Sequence, residues 1–178
     1  MDNKIFTKNK GMRSWNLNLD EKLTPNFKLK EFIHWADKTS MSDADKFLAN
    51  KYAQGNFTYE HYVMYKMMAH FLEHVRHVVH VDDVCNGHHY AIIITSGFRP
   101  KIWEKYRGRS GGSQHTICAV DFVVYNKTLG QLDYEATLDV FEDYKDDFNG
   151  GIAVKYTEDK QGAIFCHIDF GRRARWEY

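Results

Sequence analysis

The segment GGSQHTICAVDF, residues 111 to 122, places the carboxylate of Asp121 inside an apolar run that has the composition of a buried strand. An unpaired carboxylate in such a run is costly or becomes protonated, so Asp121 requires a partner. His115 stands six residues earlier, after two glycines. A metal ion bound by both side chains is one candidate partner, and its remaining ligands must then come from elsewhere in the chain.

The short spacing between His115 and Asp121 restricts the local structure. A fully extended chain would separate the two residues by about 20 Å at roughly 3.3 Å per residue, which is too far to share an ion. The chain must therefore turn between them, and Gly111 and Gly112 indicate that this region already departs from a regular strand. We expect His115 to reach the site from a loop and Asp121 from a strand.

A second pair of polar residues lies in AIFCHIDF, residues 163 to 170. The period of two in a strand sends His167 and Asp169 to one face and their apolar neighbours to the other. Two histidines and one carboxylate are a common ligand set for catalytic zinc. The alternative is an unrelated fold in which the histidines are ordinary hydrogen-bonded side chains and the carboxylates pair with Arg172 or Arg173.

The periodicity along the chain predicts an α+β fold, with a small, mainly antiparallel sheet flanked by helices. Residues 1–25 are expected to form an extended N-terminal extension, and residues 26–178 a single domain. The predicted helices are a short one over 27–35, one capped by Ser42, a long one capped by Thr58 and one over 131–147. The predicted strands are 91–95, 118–125 and a hairpin formed by GIAVKY and AIFCHIDF.

The long helix has a predicted apolar stripe and a row of histidines. The stripe contains Met64, Met67, Met68, Phe71, Leu72, Val75, Val78 and Val79. His70, His74 and His77 share one side, where a metal pair is possible, but a solvated polar face is the better interpretation without a nearby acidic base. His88 and His89, in a turn, are interpreted in the same way.

Composition and cysteine use exclude several classes of protein. Lys plus Arg equals Asp plus Glu at 24 each, so the chain has no net positive charge that would attract nucleic acid or anionic lipid. No apolar stretch has the length of a signal peptide or a membrane span, which predicts synthesis in the cytoplasm and no membrane insertion. Cys85, Cys118 and Cys166 are expected to be reduced thiols, because they are odd in number and widely spaced.

Four motifs in order resemble a known family. TSGFRP, SQH followed by AVD, FNGGIAVKY and FCHIDFGRRARW resemble the zinc-dependent D-alanyl-D-alanine metallopeptidases, in particular the murein peptidases related to phage endolysin peptidase domains. The family pattern runs SGYR, SxHxxGxAxD, a GxGxY strand, HxD and a closing RxW. The resemblance covers roughly residues 27 to 177 and implies a hedgehog-like fold.

The resemblance also implies a site and a reaction. His115, Asp121 and His167 would bind one Zn²⁺ per chain, and Arg99, exposed by the break at SGFRP, would hold the carbonyl oxygen or carboxylate of the substrate. Ser113 would bind substrate or order the ligand loop, and Trp176 would pack beside the site. Asp169 would be the general base or would orient a ligand. The implied reaction is metal-assisted hydrolysis of amide bonds in peptidoglycan or another D-amino-acid-containing peptide.

The sequence departs from the family pattern at several positions. Asp121 follows His115 by six residues where the family has seven, and the glycine within that loop is absent. Relatives also carry Asn a few residues after SGYR, where this chain has IWEKY, and some have a Glu where this chain has Ile164. The alternative is therefore a domain of the same fold that has lost catalysis and serves as a structural or binding part, for instance of a phage particle. An active enzyme would reach the cell wall on a phage particle or after release by lysis.

Overall fold

The computed structural model describes residues 16–33, 42–82 and 87–178, and its fold confirms the predicted α+β class. The helices are α1 Leu29–Ile33, α2 Asp43–Asn56, α3 Tyr59–Asp82, α4 Lys101–Tyr106 and α5 Tyr134–Tyr144. The strands are β1 Tyr90–Ser96, β2 Ala119–Asn126, β3 Gln131–Asp133, β4 Gly151–Tyr156, β5 Ala163–Asp169 and β6 Ala174–Glu177.

The strands form one sheet in the order β1-β2-β5-β4-β6, and β3 pairs with the far end of β2. All pairings are antiparallel except that of β4 with β6, which is parallel. The predicted hairpin is confirmed as β4 and β5. The strand β6 was not predicted, because the sequence GRRARW alternates too little to distinguish a strand from a loop.

The register brings the polar residues of different strands into one row across the sheet. Asp121 faces Ser96 on β1 and His167 on β5, and His167 faces Ala153 on β4, which in turn faces Trp176 on β6. Facing residues in paired strands project to the same side of a sheet. One face of the sheet therefore presents His167 between Asp121 and Trp176.

The opposite face of the sheet forms the apolar core with the helices. Alternate residues of the central strands are fully or almost fully buried there: Val120, Phe122, Val124, Ile152, Val154, Cys166 and Ile168. Helix α5 packs against β2, β4 and β5, and α3 packs against β1 and α5. The helices thus cover one face and leave the other available for a site.

Two predicted helix caps are present. The Ser42 side chain accepts a hydrogen bond from the Asp45 backbone N–H at 3.1 Å, at the start of α2. The Thr58 hydroxyl accepts a long hydrogen bond from the His61 N–H at 3.4 Å, at the start of α3. Each cap pairs a backbone donor that the helix itself leaves without a partner.

The structure corrects three sequence-based predictions. Residues 131–133 form a strand and Asp133 caps α5, so the helix predicted over 131–147 starts at Tyr134 and ends at Tyr144. Met67 is 59% exposed, so it lies outside the apolar stripe of α3. The strand at 91–95 is only partly buried, because β1 is an edge strand whose Ile93 faces solvent.

The described part of the predicted N-terminal extension, residues 16–25, packs on the core. Leu23 is 4% exposed, and the Thr24 hydroxyl donates a hydrogen bond to Glu73 Oε1 on α3 at 2.8 Å. Asn26 donates to the same carboxylate from its backbone N–H and its side-chain amide. Glu73 therefore fastens this segment to the long helix.

The thiols of Cys118 and Cys166 are free and buried, as predicted. Burial raises the pKa of Cys118 to about 12, so this thiol is not a nucleophile at neutral pH. The predictions for Trp35 and Cys85 lie outside the described residues. Within the described ranges, the structure contains no helix with both the length and the apolar character needed to span a bilayer.

Candidate metal centre

Three side chains from three chain segments meet at one point on the open face of the sheet. His115, Asp121 and His167 each offer a ligand atom, and these atoms lie within 4.8 Å of one another. His115 Nε2 lies 3.2 Å from Asp121 Oδ1, and His167 Nδ1 lies 2.7 Å from the same oxygen. The group could therefore hold a metal ion.

The separations of the ligand atoms can be compared with those of a tetrahedral site. Ligands about 2.1 Å from a tetrahedral ion are roughly 3.4 Å from one another. The His115–Asp121 separation of 3.2 Å is close to this value, while the His167–Asp121 separation of 2.7 Å is that of a short hydrogen bond. The donor set fits a divalent ion if His167 and Asp121 move apart by several tenths of an ångström.

His115 reaches the site from a single 3₁₀ turn, Gln114–Thr116, which shortens the path to β2. The Ser113 side chain caps this turn by accepting from the His115 backbone N–H at 3.3 Å. Ile117 follows with a φ of −118°, so the turn needs no left-handed residue. This conformation explains how the chain brings His115 to Asp121 across only six residues and without a glycine between them.

The hydrogen bonds of His115 determine which of its nitrogens is available to a metal. Nδ1 lies 2.7 Å from the carbonyl oxygen of Gly97, and a carbonyl can only accept, so Nδ1 donates. Nε2, which faces Asp121, then has its lone pair directed at the site when the ring is neutral. Burial of the ring, which is 1% exposed, lowers the pKa of His115 and so favours this neutral form.

His167 lies between two carboxylates. Its Nδ1 faces Asp121 Oδ1, and its Nε2 lies 3.2 Å from Asp169 Oδ2. Burial alone would lower the pKa of His167, but the hydrogen bonds and charges of Asp121 and Asp169 outweigh it and raise the pKa. A metal ion at Nδ1 would therefore compete with a proton that these carboxylates stabilise.

The Asp121 carboxylate remains ionised in this setting. Burial opposes its charge, but the contacts with the His115 and His167 imidazoles outweigh burial and lower the pKa of Asp121 far below its usual value. A carboxylate that keeps its charge in a mostly buried place is a suitable ligand for a divalent cation. The partner that the sequence required for Asp121 is thus the pair of imidazoles.

Asp169 is 2% exposed and is held at both oxygens. Its Oδ1 accepts from the Gly171 backbone N–H at 2.6 Å, and its Oδ2 faces His167 Nε2. A Cβ on Gly151 would lie 2.2 Å from Oδ2, so the glycine at the start of β4 leaves the space that this carboxylate fills. The arrangement suits a residue that orients His167, which is one of the two roles predicted for Asp169.

Arg99 is less exposed than the sequence predicted. Its side chain is 16% exposed, and its Nε lies 3.3 Å from Glu104 Oε1 on α4. This contact is an ion pair without hydrogen-bond geometry, since the buried Nε has no hydrogen-bond partner among the described residues. Nη2 donates to Ser113 Oγ at 3.3 Å, and the Arg99 backbone N–H donates to the His115 carbonyl at 2.9 Å. Arg99 therefore contacts the turn that carries the candidate ligand His115.

An aromatic wall borders His167 on the side away from Asp121. The Trp176 ring centre lies 5.1 Å from that of His167. Ala153 lies on β4, between the strands of these two residues, and its side chain is small enough to permit the contact. Tyr178 lies on the same side, with its ring 6.3 Å from His167 and 5.2 Å from Phe165. Partial burial and the nearby Asp121 charge raise the pKa of Tyr178.

The residues of the alternative interpretations lie elsewhere. Arg172 and Arg173 are exposed, and Asp121 and Asp169 contact histidines rather than these arginines. His70, His74 and His77 are exposed on α3, which agrees with a solvated face. Ile164 is 41% exposed and is followed on β5 by Phe165, so neither of these positions supplies a carboxylate to the site.

Sequence reasoning missed two residues beside the site. Tyr178 could have been found by the period of two from Trp176, once a strand had been assigned there. Glu104 gave no local signal, because its burial depends on how α4 packs after the turn at Pro100. No family model, curated protein or solved structure matches the chain.

Proposed function

We propose that the protein is a zinc-dependent peptidase that hydrolyses peptide bonds in peptidoglycan stem peptides or cross-links. The single observation that carries this proposal is the meeting of His115, Asp121 and His167 at one point beside Arg99. The four-motif resemblance supports the choice of zinc and of a cell-wall peptide. Under this proposal the enzyme acts at the cell wall, reached on a phage particle or after lysis.

His115 Nε2, Asp121 and His167 Nδ1 would hold the ion. When bound, zinc would activate a water and polarise the scissile carbonyl. Arg99 is permanently charged and next to the ligand loop, so its guanidinium would bind the substrate carbonyl oxygen or a carboxylate. Asp169 would fix the ring of His167 as a positioning residue, and Trp176 would form one wall of the substrate site.

A second candidate function is supported by a specific observation. Asp169 is buried and held by Gly171 and His167, and position 164 is an isoleucine, so neither position offers a carboxylate free to accept a proton from water. The second candidate is a domain that binds metal without catalysis and acts as a structural or binding part, for example of a phage particle.

Cleavage of defined wall peptides separates the two candidates. The zinc-loaded protein would be incubated with purified peptidoglycan and with short peptides that end in D-Ala, and the release of new amines would be measured. The proposed peptidase releases amines, chelator abolishes the release and added zinc restores it. Arg99→Lys should retain zinc but lose at least tenfold in rate, because lysine lacks the planar fork of donors.

The outcome that contradicts the peptidase is equally specific. If the protein binds zinc but cleaves none of these peptides, the metal-stabilised structural or binding domain is the better account. Arg99→Lys would then leave the metal-dependent stability unchanged, since Arg99 is not one of the three metal-binding candidates.

A further inference from the structure

The carboxylate of Glu104 is buried at 2% exposure, although charged side chains seldom occupy such positions without partners. Its partners are two arginines. Glu104 Oε1 lies 3.3 Å from Arg99 Nε and 3.0 Å from Arg109 Nη1. The buried carboxylate therefore joins the site residue Arg99 to helix α4, on which Glu104 lies.

Arg99 is held at two points of its guanidinium. Glu104 contacts Nε, and Ser113 Oγ accepts from Nη2 at 3.3 Å. The same Ser113 hydroxyl accepts from the backbone of His115, a candidate metal ligand. Because the guanidinium is planar and rigid, fixing Nε and Nη2 also fixes the direction of Nη1, which takes part in no hydrogen bond among the described residues.

The charges of this group leave Arg99 able to attract an oxygen anion. Glu104 alone would neutralise Arg99, but Arg109 contributes a second positive charge to the same carboxylate oxygen. The three side chains therefore keep one net positive charge. Arg109 is half exposed, so its charge is screened by solvent more than that of Arg99, whose side chain is 16% exposed.

We propose that Glu104 is a positioning residue that directs the Arg99 guanidinium at the substrate oxygen. This inference rests on the proposed function, since it specifies how the substrate-binding arginine of that function is held. Glu104 acts through Arg99, because its carboxylate is buried and contacts the two arginines.

The first test measures kcat and KM of the zinc-loaded full chain on a peptide ending in D-Ala, for wild type, Glu104→Ala and Glu104→Gln. Removing the carboxylate should lower kcat/KM by about 100-fold, because small misplacement of a positioning group has effects of that size. Glu104→Gln keeps the size of the side chain and a carbonyl oxygen whose dipole still attracts the charged guanidinium, so it should recover to within about tenfold of wild type. Zinc content should stay unchanged in both variants.

Glu73→Ala is the matched control. Glu73, like Glu104, is a carboxylate paired with an arginine Nε, at 3.0 Å from Arg76, but it is only partly buried and its other partners are Thr24 and Asn26, which are not site residues. This control should lose stability and keep kcat/KM. The inference is overturned if Glu104→Ala retains zinc and matches Glu73→Ala in kcat/KM, or if Glu104→Gln is as impaired as Glu104→Ala.

A second readout does not depend on cleavage. In NMR spectra, the resonance of the Arg99 Nε–H proton can be assigned by its loss in Arg99→Lys. This proton should exchange slowly with water in wild type, because Nε is buried beside Glu104. It should exchange fast in Glu104→Ala and slowly in Glu104→Gln; equal exchange in all three overturns the positioning role. If wild type cleaves no peptide while this exchange pattern holds, the proposed function fails and the role of Glu104 in holding Arg99 stands.

Discussion

The hydrogen bond between His167 and Asp169 makes a quantitative prediction for metal affinity. If Nδ1 binds a metal, Nε2 must carry the ring proton and donate it to Asp169 Oδ2, which lies 3.2 Å away. Asp169→Asn preserves the size of the side chain and an oxygen for the Gly171 N–H, which now contacts Oδ1 at 2.6 Å. It then turns an amide N–H toward His167 Nε2, so two donors face each other.

The size of the effect follows from the loss of one hydrogen bond to a charged, buried acceptor. Such a bond contributes about 1.5 to 3 kcal/mol, and mutation of comparable partners of metal-binding histidines weakens metal binding about 10- to 100-fold. A change of 10- to 100-fold corresponds to about 1.4 to 2.7 kcal/mol, so the two estimates agree. We therefore expect the zinc Kd of Asp169→Asn to rise about 10- to 100-fold at neutral pH.

The assay is a titration in which the protein competes with a chromophoric chelator for zinc. Wild type, Asp169→Asn and the control Asp159→Asn are measured at one pH. Asp159→Asn is the control, because Asp159 is an exposed carboxylate in the β4–β5 turn that accepts hydrogen bonds from Thr157 and Gln161. The control should bind zinc like wild type. A folded Asp169→Asn protein with a Kd within about twofold of wild type would refute the positioning role of Asp169.

Three further predictions concern the stability of the protein and the location of its metal site. The pKa of Glu73 is lowered because hydrogen bonds from Asn26, Thr24 and Arg76 outweigh burial. The stabilising effect of Glu73 is therefore fully present above the ordinary pKa of 4.5 and is lost as the pH falls through the lowered pKa. Acid unfolding curves of wild type and Glu73→Gln should converge at low pH, and a constant difference between them would contradict this. Gly97→Ala should lower the free energy of unfolding by about 2 kcal/mol or more, because the new Cβ would lie 2.1 Å from the Phe32 carbonyl oxygen. A free energy of unfolding equal to that of wild type, measured with denaturant, would contradict this close contact between Gly97 and Phe32. The double variant His70→Ala, His77→Ala should keep the zinc content of wild type, because both side chains are exposed on α3; loss of zinc measured in this variant would move the site to the helix.

The local parts of the site could be predicted from sequence because they depend on neighbouring residues only. The period of two placed His167 and Asp169 on one face of a strand, and their spacing needed no tertiary information. The need of a buried carboxylate for a partner identified Asp121 as the centre of the site. The requirement for a turn between His115 and Asp121 was met by the 3₁₀ turn.

The remaining parts depend on contacts between distant segments. The pairing of Asp121 with His167 is set by the register of β2 on β5, and no local pattern determines that register. The burial of Glu104 depends on the packing of α4, and the exposure of Met67 depends on which side of α3 packs against the core. Residues 131–133 have a helical pattern but form β3, because pairing with β2 outweighs their weak local preference.

The zinc content of the purified protein and of His167→Ala tests the central claim most directly. The account predicts about one zinc per chain in wild type, as expected for a site with two histidines and one carboxylate, and loss of that zinc in a folded His167→Ala variant. Wild-type protein that takes up no zinc at micromolar concentration, or a His167→Ala variant that retains it, would contradict the account.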